Sequence, residues 1–213
     1  MRSFWTEPFL WIHLAGIAAL PLALEVVWLG LAVGDPLLPV WLELLLVALV
    51  GIVPVLWMQL TRPFDIFSIL VLAMKPEQLT QAQRRLLSLF KTKTNPAIAI
   101  AAALFLLWVL WQIYRVAPVA STVIPFPGWR IAGLLGAGAA FLVSNLFLQV
   151  PLSVAQVLLT SEPEFAATEP YSLEKVPQDF TIPGWRVNQI LPVAAAEPAT
   201  GTISSQEFPP DQN

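Results

Sequence analysis

The sequence predicts an all-α, polytopic membrane protein with four transmembrane helices, an amphipathic interfacial helix and a disordered C-terminal tail. Three observations carry that prediction. Of the 213 residues, 57% are hydrophobic and 12% charged, with a mean hydropathy of +0.71, whereas a soluble domain carries about a quarter charged residues. Four apolar runs have the length of about 20 residues that a helix needs to cross a bilayer. Nine Trp and twelve Phe stand against two Tyr, and Trp favours the headgroup boundary.

The first span is read as Phe9–Val33, interrupted by Pro21 and Glu25. Its length, and the second apolar run that follows at once, set it apart from a cleaved signal peptide. The turn Gly34-Asp35-Pro36 leads into the second span, Leu37–Leu60, which holds Glu43. A turn this short predicts that the two helices are antiparallel neighbours. Residues 64–74 (FDIFSILVLAM) are apolar but too short to cross alone. They either extend the second helix past Pro63 or lie in the interface.

An amphipathic helix is predicted over about residues 76–92, with Leu79, Ala82, Leu86 and Phe90 on one stripe flanked by Gln81, Arg84, Arg85 and Lys91. The pattern favours a membrane-surface position over packing on the bundle. The third span is Pro96–Tyr114 and the fourth Ile131–Leu159, long enough to tilt or to project past the bilayer. Between them, residues 115–130 should be irregular. The helical domain thus covers 1–160, a polar segment with a Trp-centred motif 161–191, and a disordered low-complexity end 192–213.

Residues 1–159 carry nine Lys/Arg and six Asp/Glu, a balance of +3; residues 160–213 carry two and eight, a balance of −6. Arg62, Lys75, Arg84, Arg85, Lys91 and Lys93 all fall between the second and third spans. The positive-inside rule then predicts both termini in the cytoplasm. Amphipathic patterning and membrane flanks give that basic stretch to anionic lipid or solvent, with no nucleic-acid partner.

Ionisable groups at membrane depth are costly, so Glu25 and Glu43 are the leading candidates for chemistry. They could face each other and share a proton as a relay or cation site, or each could be neutral and hydrogen-bonded to backbone or Trp. The second reading is favoured, because no basic partner is expected at that depth. Ser144, Asn145, Gln149 and Gln156 place a polar stripe on the fourth helix, whereas Ala132, Gly136, Ala140 and Ser144 form a small-residue face. Asn145 and Gln149 complete the intramembrane polar candidates. Packing within the bundle, against Ala99 and Ala103 of the third helix, is preferred to homo-oligomerisation through the fourth. His13 stands alone, which excludes bis-His haem; it reads as a satisfied interfacial residue and not as a pigment ligand. With no Cys, no glycine-rich phosphate loop and no HExxH or GxSxG, no metal, cofactor or catalytic constellation is expected.

PGWR occurs twice, at Pro127–Arg130 and Pro183–Arg186, each followed by a β-branched residue. The first copy reads as a turn anchoring the fourth helix. In the second, Trp185, Arg186, Val187 and Ile190 are candidates for docking a partner, since Trp and Arg are enriched at binding hot spots.

The stretches FWTEPFLWIHLAG, LLPVWLELLLVALVGIVPVLWMQ, RPFDIFSILVLAMKPEQLT and RRLLSLFKT, followed by the GWR segment and a Pro/Ala/Ser/Glu-rich end, resemble the cyanobacterial low-complexity tail membrane protein family. The resemblance covers about residues 1–191. It implies a thylakoid or plasma membrane of a cyanobacterium and carries over no site residues. The expected function is a non-enzymatic scaffold or assembly factor for a membrane complex, with a photosynthetic complex as one candidate. The alternative is a small oligomeric transporter or channel using Glu25 and Glu43.

Overall fold

The computed structural model describes residues 2–69, 71–121 and 128–191. Among the described residues four helices are long and apolar enough to cross a membrane: Pro8–Ala32, Val40–Thr61, Pro96–Ala120 and Arg130–Leu158. The first comprises α1 (Pro8–Ala15) and α2 (Ala19–Ala32), joined by a 3-10 turn at Gly16–Ala18. The others are α3 (Val40–Thr61), α5 (Pro96–Ala120) and α6 (Arg130–Leu158). Between α3 and α5 lie strands β1 (Ser68–Ile69) and β2 (Leu72–Met74) and helix α4 (Gln81–Lys93). After α6 come α7 (Glu162–Ala167), α8 (Val176–Asp179) and strand β3 (Trp185–Val187).

The first two spans do not pack as a hairpin. α2 and α3 each pack against α5 and α6, so they occupy opposite corners of the bundle. The connection explains this. α2 stops at Ala32 and α3 starts at Val40, and the seven residues between can reach up to ~23 Å, enough to step across an intervening helix. α6 is the hub, touching α1, α2, α3, α4 and α5. Its closest approach is to α2, where Gly30 and Gly133 meet backbone to backbone. A Cβ on Gly133 would lie 2.5 Å from the Gly30 carbonyl oxygen. The small residues at that contact, Gly30, Gly133 and Ala137, are therefore one position off the expected face. Of that face Ala140 and Ser144 are buried, but Ala132 and Gly136 point outward. Ala99 and Ala103 are buried as expected.

A second core sits at one end of the bundle, built from the N-terminal turn, the connection between α3 and α5, and the chain after α6. Phe4, Phe9, Leu10, Ile66, Phe67, Leu86, Leu87, Phe90, Phe165, Val176 and Phe180 are buried there around Val150, Val154, Val157 and Leu158 of α6. The projecting end of the longest helix is thus the post on which a cap is assembled. The apolar piece 64–74 does not extend α3. α3 ends at Thr61, and β1 pairs antiparallel with β2. α4 begins at Gln81, later than the expected residue 76, because Pro76–Gln78 form only a 3-10 turn and Thr80 with Gln83 makes a reciprocal capping box. Leu86, Leu87, Leu89 and Phe90 of α4 are covered by protein, whereas Ala82 is exposed. The apolar side expected to face the membrane surface packs on the cap instead.

α5 continues to Ala120, past the expected end at Tyr114, because Pro118 is accommodated inside the helix. Residues 122–127 of the following loop and the low-complexity end 192–213 lie outside the described residues.

Candidate functional site

Two constellations gather the sequence-flagged polar residues. At the end of the bundle away from the cap, Glu43 is fully buried and Arg130 is 3% exposed. Contrary to expectation, Glu43 has a basic partner. Arg130 Nε donates to its two carboxylate oxygens at 3.2 and 3.1 Å, and Nη2 donates to Oε2. Nη1 turns the other way and donates to the Leu31 and Val33 carbonyls at 2.7 and 3.1 Å, closing the C-terminus of α2. The backbone N–H groups of Leu37 and Leu38 donate to Glu43 Oε1 at 3.0 and 3.3 Å. One ion pair, 87 positions apart in sequence, therefore ties α2, the following turn, α3 and α6 together. Glu25 does not join it. It sits on the exposed flank of α2 beside Leu22 and Val26.

The second constellation is a polar ladder on α6. Asn145 Nδ2 donates to the Gly51 carbonyl at 3.1 Å, and Gln149 Nε2 donates to Asn145 Oδ1 at 3.1 Å and to the Ala99 carbonyl at 3.4 Å. Ser153 Oγ donates to the Gln149 carbonyl and accepts from Gln59 Nε2 at 3.3 Å. The i, i+4, i+8 spacing puts these groups on one face of α6, facing α3 and α5. They work as helix-to-helix bonds in a buried setting. Glu25, Glu43, Asn145 and Gln149 are absent from the linings of three cavities found among the described residues. One of about 130 Å³ lies beside His13. His13 Nε2 donates to the Ile66 carbonyl at 2.9 Å, so this nitrogen fastens α1 to the strand region and is not free to bind a metal.

The second PGWR copy adds a strand. β3 runs parallel to β2, giving the order β1-β2-β3, with Leu72 opposite Trp185 and Met74 opposite Val187. Both copies turn on a glycine with positive φ, +100° at Gly128 and +66° at Gly184, and both Trp are exposed. They differ at Arg: Arg130 is buried, and Arg186 is at the surface. Trp185 is 73% exposed on an edge strand, Val187 is half-buried, and Ile190 packs on the cap core.

Sequence reasoning missed what holds this segment. The basic connection clips main-chain carbonyls of the returning chain. Arg62 Nη2 donates to Pro177 and Phe180 at 2.8 and 3.0 Å, Arg84 Nε to Tyr171 at 2.7 Å, and Lys91 Nζ to Asp179 at 3.3 Å. Lys93 pairs with Glu164 at 2.6 Å. The opposite charges of the basic connection and the acidic segment were the legible signal. Burial pushes the Asp65 carboxyl up to about 6, against the backbone N–H of Phe67 and nearby Arg186, which favour its charge. It also pushes Glu7 up, against hydrogen bonds from Gln83 and Phe9.

The family model for low-complexity tail membrane protein-like proteins matches residues 6–192. The chain belongs to this family. No curated protein and no solved structure matches. In this low-complexity tail membrane protein-like chain the match runs through the bundle and the cap and stops just past Leu191, where the described residues end. The family's shared part thus includes β3.

Proposed function

We propose that this membrane protein is a non-enzymatic scaffold or assembly factor for a larger membrane complex, with the cap as its docking end. One observation carries the reading: the polar groups inside the bundle are spent on holding helices. Glu43, Asn145 and Gln149 are each bonded to a neighbouring helix or turn, which leaves surfaces as the place for function. The surface with the composition of a binding site is the β3 edge, where exposed Trp185 and Arg186 lie on a strand edge that no described residue pairs. An extended segment of a partner protein adds to such an edge by main-chain hydrogen bonds. The resemblance supports a cyanobacterial setting, thylakoid or plasma membrane, and the basic residues of the cap support a cytoplasmic position for it. A small oligomeric transporter has less support, because Glu43 is locked to Arg130 and Glu25 lies apart from it.

The test is a mild-detergent pulldown of protein tagged at its C-terminus, comparing the native chain with Trp185→Ala. The native chain should retain a defined set of membrane proteins that Trp185→Ala loses. The same set with both chains removes the docking role of β3, and the same tag digested from outside intact cells removes the orientation. Deleting residues 171–191 is a poorer test than it looks from the sequence, because Val176 and Phe180 belong to the cap core.

A further inference from the structure

Glu25 has no hydrogen bond or ion pair among the described residues, yet it stands on the outward flank of a membrane-spanning helix. Seven residues separate it from the end of α2 at Ala32, which puts it about 10 Å below that end. An ionisable group left facing hydrocarbon there costs on the order of a few kcal/mol. Something other than lipid therefore belongs against it.

The same face carries a group of opposite sign at the same depth. α2 and α5 pack side by side and, as first and third spans, run in the same direction. Trp28 Nε1 donates to the Val116 carbonyl at 3.1 Å, which sets the register between them. Glu25 is three residues below Trp28 and Arg115 one residue below Val116, so the two lie within about 3 Å in depth. Arg115 is exposed, and among the described residues it donates only to Gln112 Oε1 of its own helix, at 3.3 Å. Leu104, Trp108, Trp111 and Arg115 recur at four, three and four residues and so share one outward face of α5. Trp108 is 58% and Trp111 50% exposed. Trp108 is the middle residue of Pro96–Ala120, far from the headgroup level that Trp prefers in lipid, whereas aromatic anchors of this kind are typical of protein contacts.

We propose that a second copy of this chain docks on the α2–α5 face, with Glu25 of each copy paired with Arg115 of the other. A two-fold axis along the membrane normal keeps every residue at its own depth and makes each contact reciprocal. The depth match between Glu25 and Arg115 is the condition such a dimer needs. The interface is built from α2 and α5 and not from the small-residue face of α6, and it does not rest on the docking role of the cap.

Reciprocity gives a test that a fold defect cannot imitate. Copies carrying Glu25→Arg present two arginines at the interface, and copies carrying Arg115→Glu present two glutamates. Each variant alone should self-associate at least about tenfold more weakly than the native chain in mild detergent. Co-expressed with different tags, the two should co-purify, because both cross-pairs are restored between unlike copies. A pair within one chain predicts no recovery on mixing. The absence of Cys allows a second measurement on native charges: copies with Leu22→Cys and with Trp111→Cys, mixed in membranes, should cross-link on oxidation, and Leu49→Cys copies should not. A native chain that stays monomeric, single variants that associate like it, or no recovery and no cross-link on mixing would overturn the proposal.

Discussion

A guanidinium and a carboxylate taken out of water together repay their desolvation only when the geometry is good and their remaining donors and acceptors are met. Arg130 and Glu43 satisfy that condition, since the donors that Glu43 does not use close the end of α2 and backbone N–H groups fill the rest of the carboxylate. Arg130→Met removes one side of the pair and leaves the other buried. The expected loss is about 3–5 kcal/mol, read as a lower thermal midpoint in detergent. Glu43→Leu combined with Arg130→Met should recover part of it, and a midpoint for Arg130→Met equal to that of the native chain would show that the pair is not coupled to stability. Asp65 makes the opposite case. It is 1% exposed, its Oδ1 accepts from the Phe67 N–H at 2.9 Å, and burial raises its carboxyl from 3.8 to about 6. The acid form is the one the fold prefers. Its stabilising contribution is complete below about pH 3.8 and is lost as pH rises through about 6. A shift of this size is worth on the order of 3 kcal/mol. Asp65→Asn keeps the acceptor for Phe67 and removes the titration, so its thermal midpoint should exceed the native one at pH 7.5. The two should converge toward pH 4.5, and a constant difference across that range would assign the effect to something other than this carboxyl.

At the level of elements, the cap depends on one close approach. A Cβ on Gly184 would lie 1.9 Å from the Val71 carbonyl oxygen, and the residue holds φ at +66°. That oxygen accepts from the Trp185 N–H at 2.8 Å, so the clash falls on the first bond of the β2–β3 ladder. Gly184→Ala should displace β3 at a cost of about 1–3 kcal/mol from backbone strain alone. Trypsin should then cut after Arg186 about tenfold or more faster, with the spanning helices unchanged; a cutting rate equal to that of the native chain would count against the strand. The spans were legible in the sequence because hydropathy is a local property. β3 was not, because three residues pairing in parallel with a strand over a hundred positions earlier leave no pattern of their own. The apolar piece at 64–74 misled for a related reason: Ile66, Phe67 and Ala73 are buried, and sequence cannot tell lipid from a protein core as the cover.

For the whole molecule, composition and four apolar runs gave the membrane class and the number of spans. The order of helices around the bundle was hidden, because the short turn after α2 suggested adjacency and the seven-residue step was visible only once the helix ends were known. Of the candidate site residues, Asn145 and Gln149 were flagged as intramembrane polar groups, and they bond α6 to α3 and α5. Glu43 was flagged without its partner, since Arg130 reads as an interfacial anchor until the bundle folds it inward.

The placement of β3 also sets an order of biosynthesis. The spans precede it in the chain, and β2 has no parallel neighbour until Val187 has left the ribosome. Phe67, Phe90 and their neighbours therefore lack the cover of Phe165, Val176 and Phe180 while the third and fourth spans are inserted. This clasp is made by a segment that follows all four spans, so a chain halted in the fourth span is left with part of its apolar connection open to chaperones and proteases.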